Sequence, residues 1–453
     1  MTGLWFRTAL LPGGWAADVR LDVAEGRIQS VEVDAPPAPD DECHGIALPA
    51  LCNLHSHAFQ RVMAGLTETR ASAGADSFWT WRAMMYRFVD RIEPEHIEAI
   101  AAQAYVEMLE AGFVRVAEFH YLHHARDGGF YDNIAEHAAR IAAAAEQTGI
   151  ALTLVPVFYA HANFGSIAPD PVQRRFITNP DQFGCLMDAS RRAIAHLPGA
   201  VLGLAPHSLR AATVAEIGAV LPLCQSGPIH IHIAEQSREV DDCLAWCGRR
   251  PVEYLLDNMA VDESWCLIHA THMTAGETAR LAASGAVAGL CPITEANLGD
   301  GIFPARDYAA AGGRFGVGSD SNILIDAAGE LRQLEYSQRL ALRGRNMLTT
   351  VETRSSGRLL FDAARHGGAQ ASGIAAVEIA PGHSADLVSL KLHDTSLTAR
   401  RGDALLDSWI FAARQSLVDC VWLQGRRLVS QGHHLLRDSI SSRFRRTLGV
   451  LMG

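Results

Sequence analysis

Four places in the chain put histidine or aspartate where a strand candidate ends. His55-Ser56-His57 closes the run IALPALCNLH, and in an extended chain residues i and i+2 share a face, so both imidazoles can approach one ion. His232 lies in HIHIAEQ, where Ile231 and Ile233 alternate with His230 and His232, and Glu235 follows just past the strand. His269 ends WCLIHA and Asp320 ends the run GVGSD. Three imidazoles and a carboxylate around an open position suit Zn2+, because nitrogen and oxygen donors match a borderline metal and the open position takes water. The chemistry such a set supports is hydrolysis, with water activated near neutral pH and side chains moving the protons.

These residues meet only if the fold brings several strand ends to one rim. The runs VRVAEFH, ALTLVPVF, VLGLAPHS, PIHIHIAE, WCLIHA, AVAGLC and RFGVGSD, preceded by IALPALCNLH, make eight strand candidates alternating with helical patterns. Among the helical stretches are PEHIEAIAAQAYVEMLEAG and NIAEHAARIAAAAEQTG, the second closed by Gly149 in the manner of a C-terminal cap. From His55 to Asp320 is 265 residues, about 38 for each of seven strand intervals, which is the spacing of a (β/α)8 barrel. His232 then falls on strand 5, His269 on strand 6 and Asp320 on strand 8, all at the C-terminal rim where barrel active sites are built. A doubly wound sheet would carry a Gly-rich fingerprint after its first strand, and none is present.

Residues 4–48 alternate as short strands, with a hairpin at Glu25-Gly26, and SADLVSLKL and VDCVWLQGRRLVSQG, with its Gly425 turn, do the same near the other end. The fold class expected is therefore α/β: a (β/α)8 TIM barrel over 49–375 with a small composite β-sandwich from residues 1–48 and 376–453.

Composition narrows the partners. The 453 residues carry a net charge of −11, which lacks the basic footprint of a nucleic-acid binder; a small molecule is expected instead. Lys391 is the only lysine among 39 basic residues, so no P-loop can be written, and a Schiff base or carboxylated lysine would have to run through that one late residue. Nine cysteines without a CxxC pair suggest a reduced, cytoplasmic chain. No export signal and no apolar run of 18 residues stands out, so no membrane partner is expected.

Taken together, His55-x-His57, His232, His269, Asp320 and the composite sheet resemble the amidohydrolase superfamily over nearly the whole chain. Binuclear members commonly use a carboxylated lysine on strand 4. VLGLAPHS has none, which points to the mononuclear, deaminase-like branch with its HxxE pair, His232 and Glu235. The finer motifs HSHAFQR (55–61), SFWTWR (77–82), AEFHY (117–121), HSLR (207–210), HIHIAEQ (230–236) and TEANLGDGIFP (294–304) are similar to the formimidoylglutamate deiminase family.

That resemblance implies one Zn2+ per subunit held by His55, His57, His232 and Asp320, with Glu235, His269 and Asp320 as the catalytic residues. It implies Gln60, Tyr121, His207 and Arg210 as contacts to N-formimino-L-glutamate, with Arg82 reaching in from its own or a neighbouring subunit of a homodimer. The residues agree on their own terms: this substrate is a dianion, and HSLR offers an imidazole and a guanidinium at the end of strand 4, arginine being suited to bidentate carboxylate recognition. Asn322 departs from the pattern, which calls for histidine there. His120, His123 and His124 read as loop residues around Tyr121, and SFWTWRAMMYRF as a surface for a second subunit. Guanine, cytosine or adenosine-analogue deaminases and imidazolonepropionase would use the same metal set; a non-catalytic scaffold would have no need of it.

Overall fold

Eight parallel strands close into a barrel in the computed structural model, which describes residues 2–69 and 76–453. They are β1 (Leu51–Ser56), β2 (Phe113–His120), β3 (Ala151–Phe158), β4 (the pair Val201–Leu202 and Ala205–Pro206), β5 (Ile229–Ile233), β6 (Trp265–His269), β7 (Val287–Leu290) and β8 (Arg314–Val317). Ladders join β1 to β4 and β5 to β8. The two remaining seams are closed by isolated bridges, Ser56 to Asp320 between β1 and β8, and Leu204 to Ile229 and Ser208 to His232 between β4 and β5.

All eight strands fall where apolar or β-branched runs place them. Every residue of β1, β2 and β3 is buried, which is why these segments read as continuous runs rather than alternating ones. The run VLGLAPHS forms two short pieces instead of one strand. A Cβ on Gly203 would sit 2.7 Å from the Pro228 carbonyl oxygen, so β5 approaches the backbone closely there, and Pro206 has no N–H to give to a ladder.

The helices outside the barrel follow their caps. Helix Pro94–Glu110 starts on a proline, whose missing N–H costs nothing in the first turn, and helix Glu136–Thr148 stops at Gly149, which takes φ 77°. Helix Phe78–Val89, the SFWTWR stretch, starts at Ser77, whose backbone N–H donates to Thr80 Oγ1 at 3.0 Å. It lies across the barrel mouth, with Phe78, Trp81, Arg82 and Met85 facing the same cavity as the strand ends.

Both chain regions outside the barrel contribute to one eight-stranded sheet, in the order His433–His434, Arg426–Ser430, Val418–Leu423, Leu387–Leu390, Glu42–Pro49, Thr2–Leu11, Gly14–Ala24 and Arg27–Glu32. The hairpin at Glu25-Gly26 forms, with φ 51° and 75°. The sandwich is thus one hydrogen-bonded array, curled so that Arg27 meets Ser384, around a core that includes Phe6, Val19, Leu21, Ile28, Leu387 and Trp422. Only Ala50 separates strand Glu42–Pro49 from β1, so sheet and barrel are joined stiffly just before His55. The segment after 376 does more than complete the sheet: helix Ala404–Phe411 accepts Arg332 at the Ile410 carbonyl (3.2 Å), and helix Arg437–Met452 returns to Pro94–Glu110 through Arg443 and Glu98 (2.6 Å). All nine cysteines are free. Among the described residues no helix is long and apolar enough to cross a membrane.

Candidate metal centre and substrate pocket

The strand ends bring His55, His57, His232 and Asp320 together, each fully buried, with one ligand atom of each within 4.8 Å of the others. His57 Nδ1 lies 3.0 Å from the Phe119 carbonyl and His232 Nδ1 lies 3.1 Å from that of His207. A carbonyl can only accept, so each Nδ1 carries the proton and each Nε2 presents a lone pair to the centre. His55 Nε2 stands 3.1 Å from His232 Nε2, and Asp320 Oδ1 stands 3.5 Å from His55 Nε2 and 3.3 Å from His57 Nε2. Burial drives His57 down to about 3 and His55 and His232 well below the usual histidine range. Neutral imidazoles whose lone pairs converge beside a carboxylate fit a divalent cation, since like-facing lone pairs repel unless a positive charge lies between them.

Backbone strain accompanies this convergence. His269 and Asp320 adopt φ 68° and 44°, a left-handed conformation that costs a non-glycine residue energy and concentrates at functional sites.

His269 stands among three carboxylates. Its Nε2 is 3.9 Å from both Glu235 Oε1 and Asp320 Oδ2, and its Nδ1 donates to Glu295 Oε1 at 3.2 Å. Burial lowers its pKa, but the attraction of Glu235, Glu295 and Asp320 outweighs that and lifts it to about 10. Glu235 is pushed up to about 7 by burial, against the pull of His269 and Arg210. A carboxyl that holds its proton near neutrality and an imidazolium between acids are groups able to deliver and orient protons.

The cavity above the centre is lined by Gln60, Arg82, Tyr121, His207 and Arg210 together with His57, His232, Glu235, His269 and Asp320. All the residues anticipated for the site except His55, which is buried beside His57 and His232, therefore line one pocket. Gln60 Nε2 donates to the Tyr121 hydroxyl at 3.0 Å, while Gln60 Oε1 and Arg210 Nε are buried without hydrogen-bond partners. Glu239, 3.7 Å from Arg210 Nε, is the carboxylate nearest that guanidinium. Arg82 lines the pocket of its own chain. Its Nε donates to the Tyr86 hydroxyl at 2.9 Å and its Nη2 to that of Tyr159 at 3.2 Å, because the roof helix folds back over the mouth. His123 and His124 lie in the loop after β2 as expected, whereas His120 is the last residue of that strand; all three are buried, and His123 and His124 hold the Val157 and Ile177 carbonyls at 2.9 and 2.7 Å.

Glu295 and Asp300 were not singled out from sequence, although TEANLGDGIFP contains both. Glu295 also accepts the Cys291 N–H at 2.9 Å. Asp300, bonded by Gln236, is raised to about 9 by burial and by the nearby charge of Glu235. The signal available was their place after β7, at the catalytic rim of the barrel.

Comparison with known proteins matches this geometry. A family model described as the amidohydrolase family covers residues 46–428, and one described as the N-terminal domain of the formimidoylglutamate deiminase HutF covers residues 1–45. The chain is 49% identical over 454 residues to the formimidoylglutamate deiminase of Pseudomonas aeruginosa, spanning 100% of both. The solved structure of an amidohydrolase from Brucella melitensis matches with TM-score 0.96 and 52% identity over 100% of each chain. An adenosine deaminase from Xanthomonas campestris, solved with bound zinc, matches with TM-score 0.82 at 21% identity over 100% of this chain and 98% of the other, a likeness of fold.

Proposed function

The chain belongs to the amidohydrolase family and, within it, to the formimidoylglutamate deiminases of histidine utilisation, and from that premise we propose which side chains carry the reaction. The reaction hydrolyses the linear amidine of N-formimino-L-glutamate to N-formyl-L-glutamate and ammonia. Zn2+, one per subunit, is held by His55, His57, His232 and Asp320. Supporting zinc are the nitrogen-rich donor set with a single carboxylate and the zinc carried by the adenosine deaminase of like fold. Bound there, the ion supplies a Lewis acid and a water nucleophile usable at neutral pH.

The protein's own groups do the rest. Asp320 accepts the proton that the attacking water gives up, and His269, whose Nδ1 is fixed by Glu295, orients the incoming oxygen. A carbon–oxygen bond forms at the formimino carbon. Glu235 delivers its proton to the terminal nitrogen, the proton taken up by Asp320 passes to the same nitrogen as the carbon–nitrogen bond breaks, and the hydroxyl proton returns to Glu235 as the formyl C=O forms and ammonia leaves. Arg210, ion-paired with Glu239 but with its buried Nε free of any hydrogen bond, takes one substrate carboxylate, and Arg82 takes the other from the roof helix. His207, Tyr121 and Gln60 complete the wall. A homodimer in the cytoplasm remains part of this reading, with the aromatic stretch around helix Phe78–Val89 as the contact surface.

The observation that carries the proposal is a nitrogen-rich metal centre at the floor of a pocket whose wall bears two guanidinium groups. Ammonia release from N-formimino-L-glutamate, guanine, cytosine and adenosine analogues, measured on one batch of known zinc content, tests it. The formimino acid should be turned over with the highest kcat/KM; a purine or pyrimidine in first place would refute the substrate.

A further inference from the structure

The barrel seam between β1 and β8 is the one across which His55 and His57 must face Asp320, and its backbone pairing is sparse. Two hydrogen bonds make it, the His57 N–H to the Asp320 carbonyl and the Asp320 N–H to the His55 carbonyl, both 2.9 Å. Gly318 permits this approach, since a Cβ there would lie 2.6 Å from the His55 nitrogen.

Side-chain amides and hydroxyls complete the seam. Asn322 Nδ2 lies 3.1 Å from Ser56 Oγ, the His57 carbonyl and the Asp320 carbonyl. Its Oδ1 accepts from Ser319 Oγ at 2.6 Å. Ser319 Oγ accepts from Asn53 Nδ2 at 2.6 Å, and Asn53 Oδ1 accepts the Ser319 N–H at 3.0 Å and the His55 N–H at 3.4 Å. These four side chains are fully buried and none has an orphaned polar atom, although several around the pocket do.

We infer that Asn322, backed by Ser319 and Asn53, is a positioning residue that sets the separation of the His55/His57 pair from Asp320 and thereby how tightly the metal is held. The inference rests on the ligand set proposed above.

Physical constraints at this position favour asparagine. Its φ is 56°, a conformation that asparagine tolerates better than most residues. A carboxamide offers two donor hydrogens and an acceptor at once, whereas a neutral imidazole has a single N–H. Histidine could not bridge both carbonyls while accepting from Ser319. Aspartate would turn a buried negative charge toward two carbonyl oxygens. Glycine would suit the backbone and leave the carbonyls short of a donor.

The test compares wild type with Asn322→Gly and Asn322→Asp, following zinc release into excess chelator by metal analysis, alongside steady-state kinetics on N-formimino-L-glutamate. Both variants should hold zinc roughly 10- to 100-fold less tightly. kcat should fall while KM stays near wild type, because the Asn322 side chain bonds Ser56, Ser319 and the His57 and Asp320 carbonyls and none of the proposed substrate contacts Gln60, Arg82, Tyr121, His207 and Arg210. Zinc retention equal to wild type in both variants, or a rise in KM without a change in kcat, overturns the inference. Should Asn322→Gly fail to fold, Ser56→Ala removes one acceptor of the amide and should weaken retention roughly 2- to 10-fold; unchanged retention there counts against the seam equally. Asp320→Asn in the same assay separates the two levels, since full retention in that variant would show the ligand assignment, rather than the seam, to be wrong.

Discussion

Three residues of chain separate two different tasks at the end of β5. His232 points its Nε2 at the cluster of donors, while Glu235, beyond the strand, meets His269 instead. His232→Ala should therefore lose zinc and activity together, whereas Glu235→Gln should keep zinc and lose turnover, by roughly 10²- to 10⁴-fold if it acts as general acid. Normal zinc occupancy in His232→Ala would remove it from the ligand set. Arg210 makes a separate prediction about the substrate. A charge-assisted hydrogen bond is worth about 1.5 to 3 kcal/mol, so Arg210→Met should lower kcat/KM roughly 10- to 150-fold at equal zinc content. Lysine should restore only part, a point charge being unable to reproduce the guanidinium fork. Amidating one substrate carboxylate at a time identifies its partner: the variant should lose little more on the analogue lacking the carboxylate that Arg210 holds. Equal further losses on both analogues would place Arg210 elsewhere.

The elements explain why so much of this was readable and where reading stopped. β1, β2 and β3 are buried on both faces, so their apolar runs were plain, and the polar residues that interrupt them at the C-terminal ends stood out as the site. Strand β4 was less plain, because Gly203 and Pro206 break a run whose hydrophobicity alone suggests one strand. Asn322 announced itself only as a departure from a family pattern; its function depends on three acceptors that the chain brings together across 266 residues in the case of Ser56. Glu295 resembles the ordinary acid of a helix first turn until β6 sets His269 beside it. The roof helix was the hardest, since nothing in SFWTWR says which face it turns to which mouth. Its geometry now makes a prediction: Arg82 is steered by the hydroxyls of Tyr86 and Tyr159, so Tyr159→Phe should raise KM by roughly 10-fold, the lower end of what a hydrogen bond from a charged group is worth, with little change in kcat. A KM equal to wild type would mean that Tyr86 alone orients the guanidinium or that Arg82 is not a substrate contact.

At the scale of the whole molecule, helix Arg437–Met452 ties the far end of the chain to the site. Ser441 donates to Gln103 at 3.0 Å, Gln103 to Glu107 at 2.7 Å, and Glu107 pairs with Arg61, whose Nη1 donates to the Asn322 and Ile323 carbonyls at 3.0 and 3.1 Å. Two carboxylates hold that helix by charge, Glu110 through Arg437 and Glu98, which accepts from Arg443 at 2.6 Å and from Arg140 at 3.1 Å. Burial alone would raise the Glu98 carboxyl, but the hydrogen bonds and charges of the two arginines outweigh it and bring it below its ordinary 4.5. The folded state therefore binds this proton less readily than the unfolded one, and stability from the pair is fully present above about pH 5 and is lost as pH falls through the lowered value. Being partly exposed, the network is worth on the order of 1 kcal/mol or less. Glu98→Gln should accordingly melt below wild type at pH 7, and the difference in Tm should narrow progressively below pH 4.5 as the wild-type carboxylate takes its proton. Raising the salt should shrink the gap at pH 7, because screening weakens exposed pairs. A gap that stays constant from pH 7 to the acid limit of folding would mean that glutamine disturbs packing between the two helices, and that the charge of Glu98 does not hold the terminal helix in place.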